Sequence, residues 1–365
     1  MRIAVISFTK QGAELSDRIK TALEGQGHTE TICYTKCSAF LKDPGQMTSL
    51  EGRMVYVNEP LADWTEKQFE QKSALIFVGA CGIAVRAIAP AVRDKLTDIP
   101  VLVLDELGQY VIPILSGHYG GGNELAVLLA EKLGAQAVLT TATDVNGLFA
   151  VDVFAKKNQL LIGEKSGIAK VSAKLLRERQ ITMRSAVTIE GGPPEEVKLL
   201  NEGRADVVIS PMEPEHELLH LYPKCLVLGM GCRKGKSEKE IRQFVTEELE
   251  KRKLSIHAVA VLASIDVKAE EAGLTGFAKD CQIPFVTYSK EQLLEVEGTF
   301  ASSAFVEKTV GVDNVCERAV GMVLREKGHK NIRLDEKTLL AGKTARGESC
   351  KCRIACYQPQ SARTA

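Results

Sequence analysis

Short apolar runs alternate with amphipathic segments from the start of the chain onward. Residues 2–9 (RIAVISFT) predict a buried strand, residues 13–27 (AELSDRIKTALEGQG) an amphipathic helix, and residues 29–35 (TETICYT) a second strand. The same alternation recurs along the rest of the chain. Strands that alternate with helices are typical of a parallel sheet covered by helices. The predicted fold class is therefore α/β, multidomain, with mostly parallel, doubly wound sheets.

Changes in this pattern divide the chain into regions. We predict an N-terminal α/β domain over residues 1–135, a smaller α/β region over residues 136–212, and a separate C-terminal α/β domain over residues 224–357. Residues 213–223 lie in a proline-rich stretch of mixed polarity (PMEPEHELLHLYPK) and predict a linker. Residues 358–365 predict a terminal tail.

For four segments of these regions the pattern predicts a particular secondary structure. Residues 135–143 (AQAVLTTAT) predict a strand, and residues 193–203 (PPEEVKLLNEG) predict a helix. Residues 338–346 (TLLAGKTAR) and 350–357 (CKCRIACY) predict two strands that close the C-terminal domain.

Charge and apolar run length limit the partners that we expect. The 365 residues contain 47 Lys plus Arg and 47 Asp plus Glu, so no net field attracts nucleic acid or an anionic membrane surface. The first apolar run is shorter than that of a signal peptide, and no run approaches the ~20 apolar residues of a membrane helix. We therefore expect a cytoplasmic protein.

The ten cysteines are expected to be reduced thiols, since nothing in the chain indicates secretion. Cys350, Cys352 and Cys356 have even spacing, which places them on one face of a strand. We predict that they pack in a core, because a zinc site needs a fourth ligand and usually a Cys-x-x-Cys turn.

A glycine loop in the second half of the chain (CLVLGMGCRKGKSEKEI) resembles a phosphate-binding loop. Gly231 and Gly235 enclose three residues and Gly229 and Gly235 enclose five, whereas a nucleotide-binding P-loop has four. This spacing argues against a nucleotide-dependent enzyme. Glycines, basic side chains and a following helix still suit a carboxylate or phosphate, and a solvated basic loop is the alternative.

A second glycine loop lies upstream, in ILSGHYGGGNELAV. Gly120, Gly121 and Gly122 follow His118 between a predicted strand and a predicted helix. Such a run suits a backbone that approaches a ligand closely, although a flexible hinge is the alternative. The imidazole of His118 is a candidate acid or base, or simply a hydrogen-bonding group.

Ligands of doubly wound folds bind beyond the carboxyl ends of the strands. We therefore predict one binding mouth with a basic group, carboxylates, an imidazole and hydroxyls. Its members are Gly79, Cys81, Gly82, Arg86, Asp105, Glu106, Ser116, Gly117, His118, Thr140, Thr141, Thr143 and Asp144.

Several motifs in one order carry a family resemblance over nearly the whole chain. They are GACGIAVRAIAP, DELGQYVIPILSGHYGGGNELA, TTATD, LVLGMGCRKGKS, ASIDVKAEEAGL and TVGVDNVCERA. Together they resemble the cobalt-precorrin-5A hydrolase family, CbiG, of anaerobic cobalamin biosynthesis, which more often has Ala at the position of Gly122. The resemblance implies an enzyme that opens the δ-lactone of cobalt-precorrin-5A and releases acetaldehyde, giving cobalt-precorrin-5B.

The reaction that the resemblance implies lets us assign chemical roles to the candidate residues. We expect His118 to be the base, Asp105 or Glu106 to orient it, and Gly120–Gly122 amides with Asn123 to hold the oxyanion. The substrate-binding residues that we expect are Arg86, Ser116, Gly117, Gly120, Gly121, Gly122, Thr141, Thr143, Arg233, Lys236, Ser237 and Lys268. No protein metal site and no separate cofactor are expected, because the substrate carries the cobalt.

Two other functions are compatible with the same resemblance. The chain could be a non-catalytic corrinoid carrier or a partner of neighbouring corrin-pathway methyltransferases. The C-terminal domain could also serve only for dimerisation. Release of acetaldehyde by the purified protein separates the enzyme from the carrier, whereas the sequence leaves the dimerisation role of the C-terminal domain open.

Overall fold

A computed structural model describes the parts of the chain that carry the candidate residues. The described residues are 2–24, 30–39, 54–94, 97–190, 192–298, 300, 302–327, 350–356 and 362–363. Two compact units make up the chain, Met1–Val153 and Phe154–Ala365. Among the described residues, no helix is long and apolar enough to cross a membrane.

The first unit contains one sheet with helices on both faces. Its strands are β1 (Ile3–Ser7), β2 (Thr31–Thr35), β3 (Met54–Tyr56), β4 (Ala74–Val78), β5 (Val101–Leu104), β6 (Tyr110–Leu115) and β7 (Gln136–Ala137). Its helices are α1 (Lys10–Glu24), α2 (Leu61–Glu70), α3 (Cys81–Ile88), α4 (Gly122–Leu133) and α5 (Ala142–Val145), followed by α6 (Val151–Lys157) at the boundary. The described strands pair in the order β3-β2-β1-β4-β5-β6-β7.

Two apolar cores flank this sheet, because successive side chains of a strand point to opposite faces. In β1, Ile3 and Val5 join the core that α1 and α4 cover, and Ala4 and Ile6 join the opposite core. The sequence of a strand that is buried on both faces is a continuous apolar run, which is why the sequence predicted β1. The predicted α/β class with mostly parallel sheets is confirmed.

One pair of strands in this sheet is antiparallel. β5 and β6 run in opposite directions, with Leu104 opposite Val111, while β6 and β7 are parallel to each other. The connection, residues 105–109, is too short for a parallel crossover, which needs about a dozen residues. β6 and β7 therefore end at the edge of the sheet where β5 begins.

The second unit contains two larger sheets. Its strands are β8 (Leu161–Ile162), β9 (Ile181–Ser185), β10 (Ile189–Glu190), β11 (Val197–Leu199), β12 (Val207–Ile209), β13 (Leu219–Tyr222), β14 (Leu226–Cys232), β15 (Val259–Ile265), β16 (Phe285–Tyr288), β17 (Cys350–Cys356) and β18 (Ala362–Arg363). Its helices are α7 (Ser166–Glu178), α8 (Glu238–Glu250), α9 (Ala272–Asp280), α10 (Lys290–Leu294), α11 (Ala304–Val310) and α12 (Val315–Glu326), with short 3-10 turns at Ile256–Ala258 and Asp266–Lys268. The described sheets have the orders β11-β9-β12-β13-β8 and β16-β15-β14-β17, and β10 pairs with β18.

Three segments differ from their predictions. Residues 193–203 form no helix; β11 lies there instead and pairs with β9, so tertiary pairing overrides the local pattern. Residues 135–143 contain only the two-residue β7 and the start of α5. The predicted linker, residues 213–223, contains β13, which pairs with both β12 and β8. Residues 338–346 lie outside the described residues.

The cysteines of β17 face a core, as their spacing predicts. Cys350 and Cys352 are buried in the apolar cluster beneath α8 and α9, and Cys356 packs against it. Burial raises the pKa of the Cys352 thiol well above its usual value. These thiols are therefore packing groups.

Candidate functional site

The loop between β6 and α4 is compact because glycines allow close backbone contacts. A Cβ on Gly120 would lie 2.5 Å from the carbonyl oxygen of Ser116, and one on Gly117 would lie 2.4 Å from Oδ1 of Asn123. Ser116 itself has a φ of 51°, and its hydroxyl donates to the carbonyl of Asp98 at 2.8 Å. A non-glycine residue in this region is strained, so the loop is held in one conformation by its contacts.

This loop brings His118 against the start of α5. Nε2 of His118 lies 2.7 Å from Oδ2 of Asp144 and 3.1 Å from the hydroxyl oxygen of Thr143. Nδ2 of Asn123, in the first turn of α4, donates to the same Asp144 oxygen at 2.5 Å and to Thr141 Oγ1 at 3.3 Å. The result is one hydrogen-bonded cluster of an imidazole, a carboxylate, an amide and two hydroxyls.

The carboxylate determines which imidazole nitrogen is free to act. Because Asp144 accepts at Nε2, the neutral ring carries its proton there and presents the lone pair of Nδ1. The side chains of His118 and Asp144 are 17% and 25% exposed, so solvent or substrate reaches the pair. An imidazole oriented by a carboxylate in this way is a competent general base.

Asp105 and Glu106 do not orient His118, contrary to our expectation. The carboxylate of Asp105 accepts from the amides of Leu107, Gln109 and Tyr110 and so builds the turn between β5 and β6. Oε1 of Glu106 accepts from Thr9 at 2.8 Å.

The single predicted mouth is also wrong, because β6 runs antiparallel to β5. Asp105, Glu106 and Arg86 follow the ends of β4 and β5, whereas His118 follows the end of β6 at the opposite edge. At about 3.3 Å per residue, a strand as short as β5 separates the two edges by about 10 Å. Arg86 is exposed, and its Nη1 donates to the carbonyl of Gly82.

Most of the amides expected to hold an oxyanion are already occupied. Gly121 N donates to His118 O at 2.9 Å, and Gly122 N donates to Ser116 O at 3.1 Å. The side-chain amide of Asn123 already donates hydrogen bonds to Asp144 and Thr141. Among the described residues, the Gly120 amide is the member of this set with no carbonyl partner.

The second predicted loop carries carboxylates of its own. Gly235 N donates to Glu271 Oε1 at 2.6 Å, and Lys268 Nζ donates to Oε2 of the same carboxylate at 2.7 Å. The hydrogen bond from Lys268 is the main reason why the pKa of Glu271 is lowered. The carboxylate that this loop holds is therefore Glu271 of the same chain, and binding of a substrate carboxylate stays a prediction.

The remaining residues of this loop cap α8. Ser237 is the N-cap residue, and its hydroxyl accepts from the amide of Glu240 in a capping box. Lys236 donates to Glu240, and this bond, together with hydrogen bonds from Ser237, lowers the pKa of that carboxyl to about 2. Lys236 is therefore paired with an acidic side chain of α8. Arg233 is exposed.

Comparison with known proteins identifies the family. Residues 63–144 match the model of the cobalamin synthesis G N-terminal domain, and residues 226–350 match that of the cobalamin synthesis G C-terminus. Over 350 residues the chain is 34% identical to cobalt-precorrin-5A hydrolase of Salmonella typhimurium, covering 89% of this chain and 95% of the relative. The chain belongs to the cobalt-precorrin-5A hydrolase family.

A further family member and a solved structure extend the comparison. Cobalt-precorrin-5A hydrolase of Priestia megaterium is 34% identical over 311 residues, covering 80% of each chain. A solved structure of a cobalamin biosynthesis protein G homologue from Sulfolobus solfataricus matches 98% of this chain and 97% of that one, at 20% identity and a TM-score of 0.39.

In this member of the cobalt-precorrin-5A hydrolase family, Asp144 is the site residue to which we had assigned no catalytic or binding role. The sequence placed it in the mouth but did not pair it with His118. The length of residues 105–109 was the available signal, because a short link predicts that β6 reverses and ends beside β7 and the residues that follow it.

Proposed function

We propose that this protein is a cobalt-precorrin-5A hydrolase of cobalamin biosynthesis. It opens the δ-lactone of cobalt-precorrin-5A and releases acetaldehyde to give cobalt-precorrin-5B, which makes it a hydrolase that acts on a carbon–carbon bond. Family membership supports this reaction. The observation that carries a role for individual residues is the contact of 2.7 Å between His118 Nε2 and Asp144 Oδ2.

Lactone opening requires a water molecule to lose a proton as it attacks the acyl carbon. In our proposal Nδ1 of His118 accepts that proton, and Asp144 stabilises the imidazolium that forms. The tetrahedral intermediate collapses by breaking the ring C–O bond, and the leaving oxygen takes the proton from His118. The amide of Gly120 is the proposed donor to the oxyanion.

The carbon–carbon step then starts from the hydroxyl that lactone opening has produced. Removal of its proton forms the carbonyl of acetaldehyde, and the electron pair of the broken bond passes into the macrocycle of the substrate. The cobalt belongs to that substrate, so the residues proposed here supply only proton transfer and positioning. We further propose that corrin-pathway methyltransferases are the neighbouring enzymes, a partnership that copurification would test.

The direct experiment is to follow acetaldehyde released from cobalt-precorrin-5A. We expect purified wild-type protein to release it, and replacement of His118 by Ala to lower turnover by about 100-fold or more, since a general base contributes about 10²–10⁴-fold. His216→Ala, which removes an exposed imidazole of the second unit, is the matched control and should keep full turnover.

The outcomes separate the reaction from the role of the residue. No acetaldehyde from wild-type protein contradicts the hydrolase and favours the corrinoid carrier. Release from wild type with undiminished turnover in His118→Ala keeps the hydrolase and removes His118 from its mechanism.

A further inference from the structure

A second buried acid–base cluster lies in the second unit, where β12 ends beside β13. Nδ1 of His220, within β13, hydrogen-bonds to Oε1 of Glu217. On the other side of the ring, Nε2 lies 3.3 Å from Oγ and 3.0 Å from the carbonyl oxygen of Ser210. The side chains of His220 and Glu217 are only 4% and 5% exposed. A hydroxyl, an imidazole and a carboxylate therefore form one chain.

Glu217 is held in place by more than the imidazole. Its Oε2 accepts from the amides of Glu215 at 3.0 Å and His216 at 2.8 Å. Burial raises the pKa of Glu217, but the hydrogen bonds from His220 and from these amides outweigh it and lower the pKa overall. The ionised carboxylate places the ring proton on Nδ1, so Nε2 of the neutral ring accepts from the hydroxyl of Ser210, and Nε2 donates to the carbonyl of Ser210 only when the ring is protonated.

The cluster lies in the wall of a cavity of about 650 Å³, which also includes Arg184 and Ser185. This volume is within the range of small-molecule pockets, about 300–1,000 Å³. Among the described residues, Nε of Arg184 is buried and has no hydrogen-bond partner. Arg184 also lines the cavity, and a guanidinium there suits a ligand that supplies an acceptor, such as a carboxylate.

The cluster lies outside the segments that the two family models match. Residues 210–220 lie between the segments matched by the two family models, 63–144 and 226–350. The run His216-Glu217-Leu218-Leu219-His220 has the spacing of a zinc-binding motif, but that motif needs a helix to place both histidines on one face. Here His220 lies in a strand, and Glu217 is bonded to His220.

We propose that this cavity is a second hydrolytic centre, for small carboxylic esters or lactones that carry a carboxylate. Ser210 is the nucleophile, His220 its base, Glu217 the residue that orients the base, and Arg184 the partner of the substrate carboxylate. Such a centre is recognised by a nucleophile, a base within hydrogen-bond distance of it, and a third group that orients the base. The inference does not rest on the function proposed above.

The reaction proceeds in two balanced steps. Oγ of Ser210 attacks the acyl carbon while its proton passes to Nε2 of His220. The C–O bond of the ester then breaks, and its oxygen takes that proton to give an alcohol, which leaves from an ester and stays attached to the acyl chain of a lactone. Water then attacks the acyl-serine and gives a proton to His220, the acyl C–Oγ bond breaks, Oγ takes the proton back, and the acid leaves. The imidazolium formed in each step is stabilised by Glu217 and by the carbonyl of Ser210.

Labelling of the full-length chain with a fluorophosphonate tests the nucleophile. We expect mass spectrometry to find the label on Ser210, and Ser210→Ala to lose it. With p-nitrophenyl hemisuccinate, the same variant should fall to the uncatalysed background, a loss of about 100-fold or more. Ser185→Ala is the matched control, because that hydroxyl also borders the cavity but is bonded to Val187; its rate should stay within about threefold of wild type.

Two further variants separate catalysis from structure. Glu217→Gln should lower kcat and change its pH profile, with thermal unfolding used to confirm that the fold persists. Arg184→Ala should raise KM for p-nitrophenyl hemisuccinate by about tenfold and leave KM for uncharged p-nitrophenyl propionate unchanged.

Each contrary result overturns the proposal. The proposal is wrong if wild-type Ser210 takes up no label, or if Ser210→Ala still hydrolyses p-nitrophenyl hemisuccinate. It is also wrong if Ser185→Ala and Ser210→Ala lose the same fraction of that hydrolysis rate.

Discussion

The pairing of His118 with Asp144 leads to the prediction that best tests the site. Asp144→Asn keeps the size of the side chain but removes the charge that faces Nε2 of His118 at 2.7 Å. The carboxamide also offers a donor where the carboxylate only accepts, so it favours the tautomer with the proton on Nδ1. Both changes weaken His118 as a base.

The size of the effect follows from the contact. Two unit charges about 4 Å apart interact by about 4 kcal/mol at an effective dielectric constant of about 20. His118 and Asp144 are partly exposed, at 17% and 25%, so solvent screening reduces this value. A loss of about 3 kcal/mol in the transition state corresponds to a fall in turnover of about 100-fold.

Acetaldehyde release from cobalt-precorrin-5A, coupled to alcohol dehydrogenase, measures this turnover. Glu106→Gln is the matched control, because this carboxylate lies at the opposite edge of the same sheet and bonds to Thr9. We expect its turnover within about threefold of wild type. An active Asp144→Asn together with an impaired Glu106→Gln would refute the assignment and restore the mouth predicted from the strand ends.

Two predictions concern the stability of the second unit. Gly229→Ala should lower the unfolding free energy in urea by about 1–3 kcal/mol, because its Cβ would lie 2.0 Å from the carbonyl oxygen of Cys316. Gly231→Ala is its control, with the nearest atom at 3.4 Å, and similar losses in the two variants would contradict this reasoning. For Asp206, burial raises the pKa but hydrogen bonds from Lys174 and Thr182 lower it overall, below its usual 3.8. Its stabilising contribution is therefore present above pH 3.8 and lost as the pH falls through the folded-state pKa, so Asp206→Asn should differ from wild type at neutral pH and converge with it in acid. A difference that stays constant with pH would contradict the linkage.

Local pattern predicted a large part of the fold. The helices α1 and α4 and the strand β1 appear in the sequence as amphipathic or continuous apolar runs, and the structure has them there. The even spacing of Cys350, Cys352 and Cys356 likewise predicted their common face. These features depend on a period of two or 3.6 residues, which a single segment carries by itself.

The candidate site was predicted only in part, for reasons that involve distant residues. The sequence singled out His118 and its glycine loop, but the prediction joined it to Asp105 and Glu106 because it did not use the short link, residues 105–109, that reverses β6. Ser237 and Lys236 were expected to bind substrate, but both side chains donate hydrogen bonds to Glu240.

The sequence by itself determined the α/β class, most of the helices and strands, and the loop that carries the imidazole. Only the tertiary structure decided that the carboxylate beside His118 is Asp144. The physical reason is that periodicity is local, whereas strand direction and ion pairing depend on contacts between segments far apart in the chain.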